Sequence, residues 1–157
     1  MIIVKYILSF KRLAIFVFLV LLCGYLIYTN VTRKTVLILH SYDESYAWVR
    51  DLNIGIERAL GDKQNIRIFK HYMNTKNHPD AEYKEKAGAI ARRIVDYIQP
   101  SIVLASDDDA QEYVMKHYIN HKDMQIVFVA VNAKPEQYGY QNATNVTGVL
   151  ERIPYEA

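Results

Sequence analysis

From Leu13 to Tyr28 the chain runs sixteen residues without a charge, LAIFVFLVLLCGYLIY, with Lys5, Lys11 and Arg12 before the run and Arg33 and Lys34 after it. So long an apolar stretch between basic flanks is poorly accommodated in a soluble fold of this size, so it divides the chain before anything else is read. A spanning helix needs about 17 to 25 residues, a length reached here if Arg12 snorkels and Thr29 extends the run. Three basic side chains and the amino terminus before the run, against two after it, predict a cytoplasmic N-terminus and an exported remainder. The expected organisation is a cytoplasmic basic segment at 1–12, a transmembrane signal anchor at 13–29, a linker at 30–34 and a soluble domain at 35–157. A cleaved signal peptide is the competing reading. It lacks a small-x-small site after Tyr28, and Leu22 rather than a small residue precedes Cys23.

Charge differs between the parts. Residues 1–34 hold five Lys/Arg and no acid, while 35–157 hold 14 Lys/Arg against 17 Asp/Glu, a net of −3. An acidic domain without a basic stripe argues against nucleic acid as a partner. The lone cysteine, Cys23, sits in the apolar run, so the soluble domain has no disulfide, thiolate nucleophile or cysteine metal site. About 120 residues make one compact domain.

Within that domain apolar runs alternate with amphipathic ones. TVLILH (35–40) reads as a buried strand. Val49, Leu52, Ile56, Ala59 and Leu60 then recur at helical spacing up to Gly61. IRIFKHYM (66–73) alternates as a strand nearer an edge does. A helix over 80–98 takes Asp80 as N-cap and buries Tyr83, Ala87, Ile90, Ala91, Ile94 and Ile98. Pro100 ends it, and SIVLAS is the third strand, its last residue in the turn. Ser106 and Asp107 cap a third helix with Ala110, Tyr113, Val114, His117 and Tyr118 inward. IVFVAV (126–131), the most continuously apolar strand, is expected at the sheet centre, and VTGVL (146–150) is the fifth strand. This alternation implies an α/β domain with a doubly wound parallel sheet ordered 2-1-3-4-5. Ligands of such sheets bind beyond the carboxyl ends of the strands at the switch point, here between the loops at 40–48 and 106–110, with Asn132 close by.

The stretches VLILHSYDESYAW, YMNTKNHPDAEY, IVLASDDDAQ, VFVAVN and NVTGVLE, in this order over residues 35–152, resemble the ABC-transporter substrate-binding-like family, which has a type I periplasmic-binding-protein fold. Similar modules serve as extracytoplasmic sensor domains of membrane signalling proteins. The resemblance implies two α/β lobes closing on a small ligand. Ala157 falls where a first lobe ends, so the sequence is expected either to be a fragment of a longer protein or to be a lobe that acts in another way. The implied partners are a small molecule, the inner membrane, and a permease or signalling domain.

The candidate ligand-binding residues are Ser41, Tyr42, Trp48, Ser106, Asp107, Asp108 and Asn132. Asp107, Asp108 and Asp109 fit a first helical turn as caps and dipole partners. One of them facing the cleft would pair with a cationic group, such as the ammonium of an amino-acid-like ligand. Three adjacent acids point in different directions, which disfavours a metal. Ser41, Tyr42, Tyr46 and Trp48 form an aromatic platform with polar tips, the alternative being Trp48 as a hydrophobic staple and surface tyrosines. Ser106 offers a hydroxyl and backbone donors to a carboxylate, or only caps. Asn132 donates to a ligand, or only makes a turn. His117 and His121 have i, i+4 spacing but no third metal ligand, and no cofactor motif or catalytic Ser/His/Asp order is present. A receiver-like phosphoacceptor fails because His40 and Ser41 stand where an acidic pair is needed. Asn30, Asn142 and Asn145 head glycosylation sequons, patterns common by chance.

Three functions follow: a small-molecule-binding module serving transport or sensing, a flavodoxin-like enzyme, and a lone lobe used for protein interaction. The first is the expectation, without catalysis. Topology is directly testable: a reporter active only in the periplasm, fused after Ala157, is expected to be on, and activity confined to the cytoplasm would refute export.

Overall fold

The computed structural model describes residues 2–31, 33–63 and 65–151, with side chains from Lys11 onward, and divides into residues 1–33 and 34–157. The first unit is one helix, α1 (Ile2–Val31). Its Lys11–Val31 portion is long and apolar enough for a membrane anchor or a signal sequence. The helix runs unbroken through the boundary expected at residue 13 and on to Val31, which shortens the expected linker. Met1, Thr32 and residues 152–157 of the expected segments lie outside the described residues, as does the Lys5 side chain.

The second unit contains β1 (Lys34–His40), α2 (Ala47–Leu60), β2 (Ile66–Tyr72), α3 (Ala81–Ile98), β3 (Ile102–Ser106), α4 (Asp108–Tyr113), β4 (Gln125–Val131) and β5 (Val146–Leu150). Short 3-10 turns stand at Met115–Tyr118, Pro135–Tyr138 and Tyr140–Asn142. The five strands form one parallel sheet in the order β2-β1-β3-β4-β5, as the alternation predicts. Parallel strands need a crossover between them, and here α2, α3 and α4 with the turn after it fill the first three. Asp80 caps α3 by accepting from the Tyr83 amide at 2.8 Å. Before Pro100 the chain turns through Gln99 in the left-handed region, φ 49°.

Strand alternation sorts the apolar side chains onto two faces. Leu37, Leu39, Val103, Ala105 and Phe128 meet Ala87, Ala91 and Val95 of α3, with Ala110 and Val114 from α4 and its end. On the opposite face Val36, Ile38, Ile68, Ile102 and Leu104 meet Leu52, Ile56 and Leu60 of α2. Across β4 and β5 that second face carries no helix among the described residues, and Val149 is 67% exposed.

Several expected details shift for packing reasons. β1, buried from Val36 to His40, is the most enclosed strand and β3 is the central one. β4 lies beside it, half-buried on its uncovered face despite its apolar run. On α3 the buried stripe is Ala87, Ala91 and Val95 at four-residue spacing, which rotates Ile90 out to 51% exposure. On α2 Asn53 is buried and Ala59 exposed. Ser106 ends β3 instead of starting the turn. The third helix of the second unit stops at Tyr113, so Gln111 and Met115 are fully buried while His117 faces solvent.

Small side chains let α3 reach the end of α4. A Cβ on Gly88 would lie 2.7 Å from Tyr113 Cβ and 2.9 Å from its carbonyl oxygen, whereas one on Gly55 in α2 meets nothing. Gly88→Ala is therefore expected to destabilise by about 1 to 3 kcal/mol. Gly55→Ala should stabilise by about 0.5 to 1 kcal/mol. Urea melts of the two variants check the contrast, and equal effects would refute it.

Candidate functional site

Strands β1 and β3 are neighbours whose chains leave the sheet in opposite directions, toward α2 and α4, so their carboxyl ends form the switch point. A cavity of about 250 Å³ lies there, lined by Tyr42, Tyr46, Trp48, Asp107, Asn132 and Glu151. Four of the seven expected residues, Tyr42, Trp48, Asp107 and Asn132, thus share one cavity. Tyr42 sits between the other two aromatics, its ring centroid 5.5 Å from Tyr46 in an edge arrangement and 5.8 Å from Trp48 at a tilt. Trp48 stands in the first turn of α2 and is half-buried; Tyr46 is the residue before that helix, without a side-chain cap bond.

The three consecutive aspartates separate completely. Asp107 adopts φ 70°, ψ 168°, a region that side chains rarely occupy. Its geometry is fixed from three directions: its amide donates to Val129 O at 3.1 Å, its carboxylate caps the Asp108 amide at 2.5 Å, and it accepts from the Tyr42 hydroxyl. Burial pushes the Asp107 carboxyl up, aided by the charges of Asp108 and Asp109 and opposed by the Tyr42 and Asp108 donors. Burial and the same Asp107 contact raise the Tyr42 hydroxyl. Asp108 points instead to the loop after β4, accepting from the Asn132 and Ala133 amides at 3.2 and 3.0 Å, Asn132 Nδ2 at 3.2 Å and the Tyr138 hydroxyl at 2.6 Å. Partial burial raises its carboxyl, but these donors outweigh that and hold it below its ordinary value. Asp109 pairs with Lys84 of α3 at 3.0 Å. Asp108 thus acts as a clamp on Asn132 and does not line the cavity.

Ser41 and Ser106 do not reach the cavity either. Both are fully buried. The Ser41 hydroxyl donates to Ser106 O and accepts from the Ala110 amide, each at 2.8 Å, because backbone groups at the strand ends need partners once water is excluded. Ser106 Oγ lies 2.9 Å from His40 Nδ1, and His40 Nε2 lies 3.2 Å from Asn53 Oδ1. Asn53 Nδ2 donates to the Tyr72 hydroxyl, which donates to Glu44. An amide oxygen only accepts, so Nε2 carries the histidine proton and Ser106 donates to Nδ1. Donors therefore run one way from Ser106 through His40, Asn53 and Tyr72 to Glu44. This is a serine–histidine pair that sequence order did not reveal, with an asparagine behind it. Ser106 and His40 are closed to solvent, His40 stacked on Tyr72 at 5.1 Å, so no substrate carbonyl fits beside the hydroxyl.

Tyr46, expected in the aromatic platform though not among the seven candidate residues, also lines the cavity, and Glu151 is the lining residue that was not anticipated. Glu151 directly follows β5, so the rule that located the other loops also locates it; its amide bonds to Val131 O at 2.9 Å. In β4 a register irregularity between Val129 and Val131 places Ala130 at φ 53° and turns the chain just before Asn132, and nothing in IVFVAV signals it. A second cavity of about 300 Å³ lies between β2 and α3, lined by His71, Tyr72, Met73, Tyr83, Lys86, Ala87 and Ile90. It is largely apolar and lies away from the switch point. Among the described residues no cluster of His, Cys, Asp or Glu is arranged to hold a metal. Of the sequon asparagines, Asn145 is buried and uses its amide on Tyr118 O, Met124 O and the Asn120 amide. Searches against family models, curated proteins and solved structures return no match.

Burial lowers the His40 pKa below its ordinary 6.5, as it does for His71; for His40 the Asn53 bond opposes and Lys70 adds to the effect. The unfolded chain then binds more protons than the folded one below about pH 6.5, so stability falls as pH drops through that value toward the folded pKa values. Urea melts between about pH 7.5 and 5 should show this loss. His40→Gln should be less stable at neutral pH but show a shallower decline. A slope unchanged by the substitution would refute the assignment to His40.

Proposed function

We propose that the soluble domain is an extracytoplasmic small-molecule-binding module, tethered by α1 to the inner membrane and serving either a transporter or a signalling protein. One observation carries the reading: at the switch point, Tyr42, Tyr46 and Trp48 converge with the buried Asp107 carboxylate and the Asn132 amide on a single cavity. Apolar walls with a few fixed polar groups are what a small-ligand site requires. The resemblance of the sequence to the first lobe of periplasmic substrate-binding proteins supports the same reading.

A single lobe covers a ligand from one side and leaves the other side in water. Losing about 100 Å² of apolar contact at the usual area coefficient weakens binding by roughly 30- to 150-fold. The full chain in detergent is therefore expected to bind members of an amino-acid and small-metabolite panel with dissociation constants of about 0.1 to 1 mM by calorimetry. Trp48→Ala should weaken the response at least about fivefold. Heat from no member of the panel would overturn the reading, and sub-micromolar binding would show that one lobe makes a complete site.

A further inference from the structure

We infer that the ligand of the switch-point cavity is a small organic cation, its ammonium head against the Tyr42 and Trp48 rings and paired with the Asp107 carboxylate. This rests on the binding reading above and narrows it to one chemical class. Of the six lining residues three are aromatic, two are acids and one is an amide; none is basic. An anion entering the cavity would face Asp107 and Glu151 with no lining cation to meet it.

Two lysines come near, and neither lines the cavity. Lys84 pairs with Asp109. Lys76 Nζ lies over the Tyr42 ring, 5.2 Å from its centroid, and is not among the residues lining the cavity. That contact shows the Tyr42 π-system placed where an ammonium group can reach it. Tyr46 and Trp48 stand at different angles around the same ring, so the three aromatics present edges and faces to a rounded head, as in aromatic cages for quaternary ammonium groups.

Asp107 supplies the complementary charge. It is only 7% exposed, and its two hydrogen-bond donors, the Tyr42 hydroxyl and the Asp108 amide, are both neutral. No Lys or Arg forms an ion pair with it among the described residues. A carboxylate accepts about four hydrogen bonds, so two donors leave capacity for a third partner. Burial and the adjacent Asp108 and Asp109 charges disfavour its ionised form, and a cation in the cavity would relieve that cost. Glu151, exposed at the rim, adds attraction at longer range.

Trp48 is the only tryptophan in the chain, so its emission reports on this cavity directly. The test titrates the full chain in detergent with three probes that share a phenyl body: benzyltrimethylammonium, phenylethanol and phenylacetate. The cation should shift Trp48 emission saturably, at least about thirtyfold tighter than phenylacetate and about fivefold tighter than phenylethanol. Asp107→Asn keeps a capping side chain of the same size and shape, which bears the same backbone strain at φ 70°, ψ 168° as the aspartate, so the fold is retained. It should weaken the cation at least about tenfold and leave phenylethanol within about twofold. Phenylacetate or phenylethanol binding as tightly as the cation would overturn the cation assignment and leave the binding reading standing, as would a cation affinity indifferent to Asp107→Asn. Silence of all three probes would overturn this inference, and only the metabolite panel then decides the binding reading.

Discussion

Ser41 is the point at which four segments of the α/β unit are tied. Its amide and hydroxyl both reach Ser106 O, its hydroxyl receives the Ala110 amide at the start of α4, and its carbonyl accepts the Thr75 amide and hydroxyl from the loop between β2 and α3. All of this is closed to water, so each bond satisfies a group whose isolation would cost about 1 to 3 kcal/mol. β1, β3, α4 and the β2–α3 loop hold their relative positions through this one side chain and its backbone. The cavity residues Tyr42 and Asp107 are the immediate chain neighbours of Ser41 and Ser106. Their placement depends on that junction.

The Asp107–Asp109 triplet shows the same economy of position. One register change in β4 brings the 131–133 backbone over α4, and the middle aspartate takes up its amides; the first is left at the cavity and the third is drawn to α3. Three identical side chains in sequence do three unrelated things: the helix rotates Asp109 by about 100° from Asp108, and Asp107 stands before the helix with its own backbone geometry. The positive φ at Asp107 completes the divergence by turning its carboxylate back toward Tyr42.

Element types and strand order were legible because they depend on periodicity alone: runs such as TVLILH and the spaced residues of α3 are enough to choose a parallel sheet and its winding. The switch-point rule then located Tyr42, Trp48, Asp107 and Asn132 without any contact being known. What could not be read was the direction of side chains at strand ends. Ser41 and Ser106 carry the same chemistry as residues that face the ligand side, yet point inward because cross-strand pairing leaves backbone groups there to satisfy. Asn53 and Gln111 are buried for a comparable reason, each a polar residue on an apolar face whose partners, His40, Tyr72 and Tyr140 or the Ala105 and Asp107 carbonyls, are distant in sequence or across a turn. The helix α4 was expected but its early end was not, because hydrophobic spacing continues past Tyr113 while the backbone turns at Val114.

The one-way run of donors from Ser106 to Glu44 couples four enclosed positions chemically and ends on an exposed acid. An aspartate in place of Asn53 has no donor to give, so Tyr72 would turn its proton inward and leave Glu44 without a partner. A valine in place of Ser106 strips the acceptor nitrogen of His40 of its donor, and an alternative tautomer would then face the Asn53 oxygen with a lone pair. Neutral drift at any link is therefore closed unless its neighbour changes as well. Descendants of this chain should keep Ser106, His40, Asn53 and Tyr72 as a block or replace their polar links by apolar packing in concert, while the exposed Glu44, which water can satisfy, is free to vary.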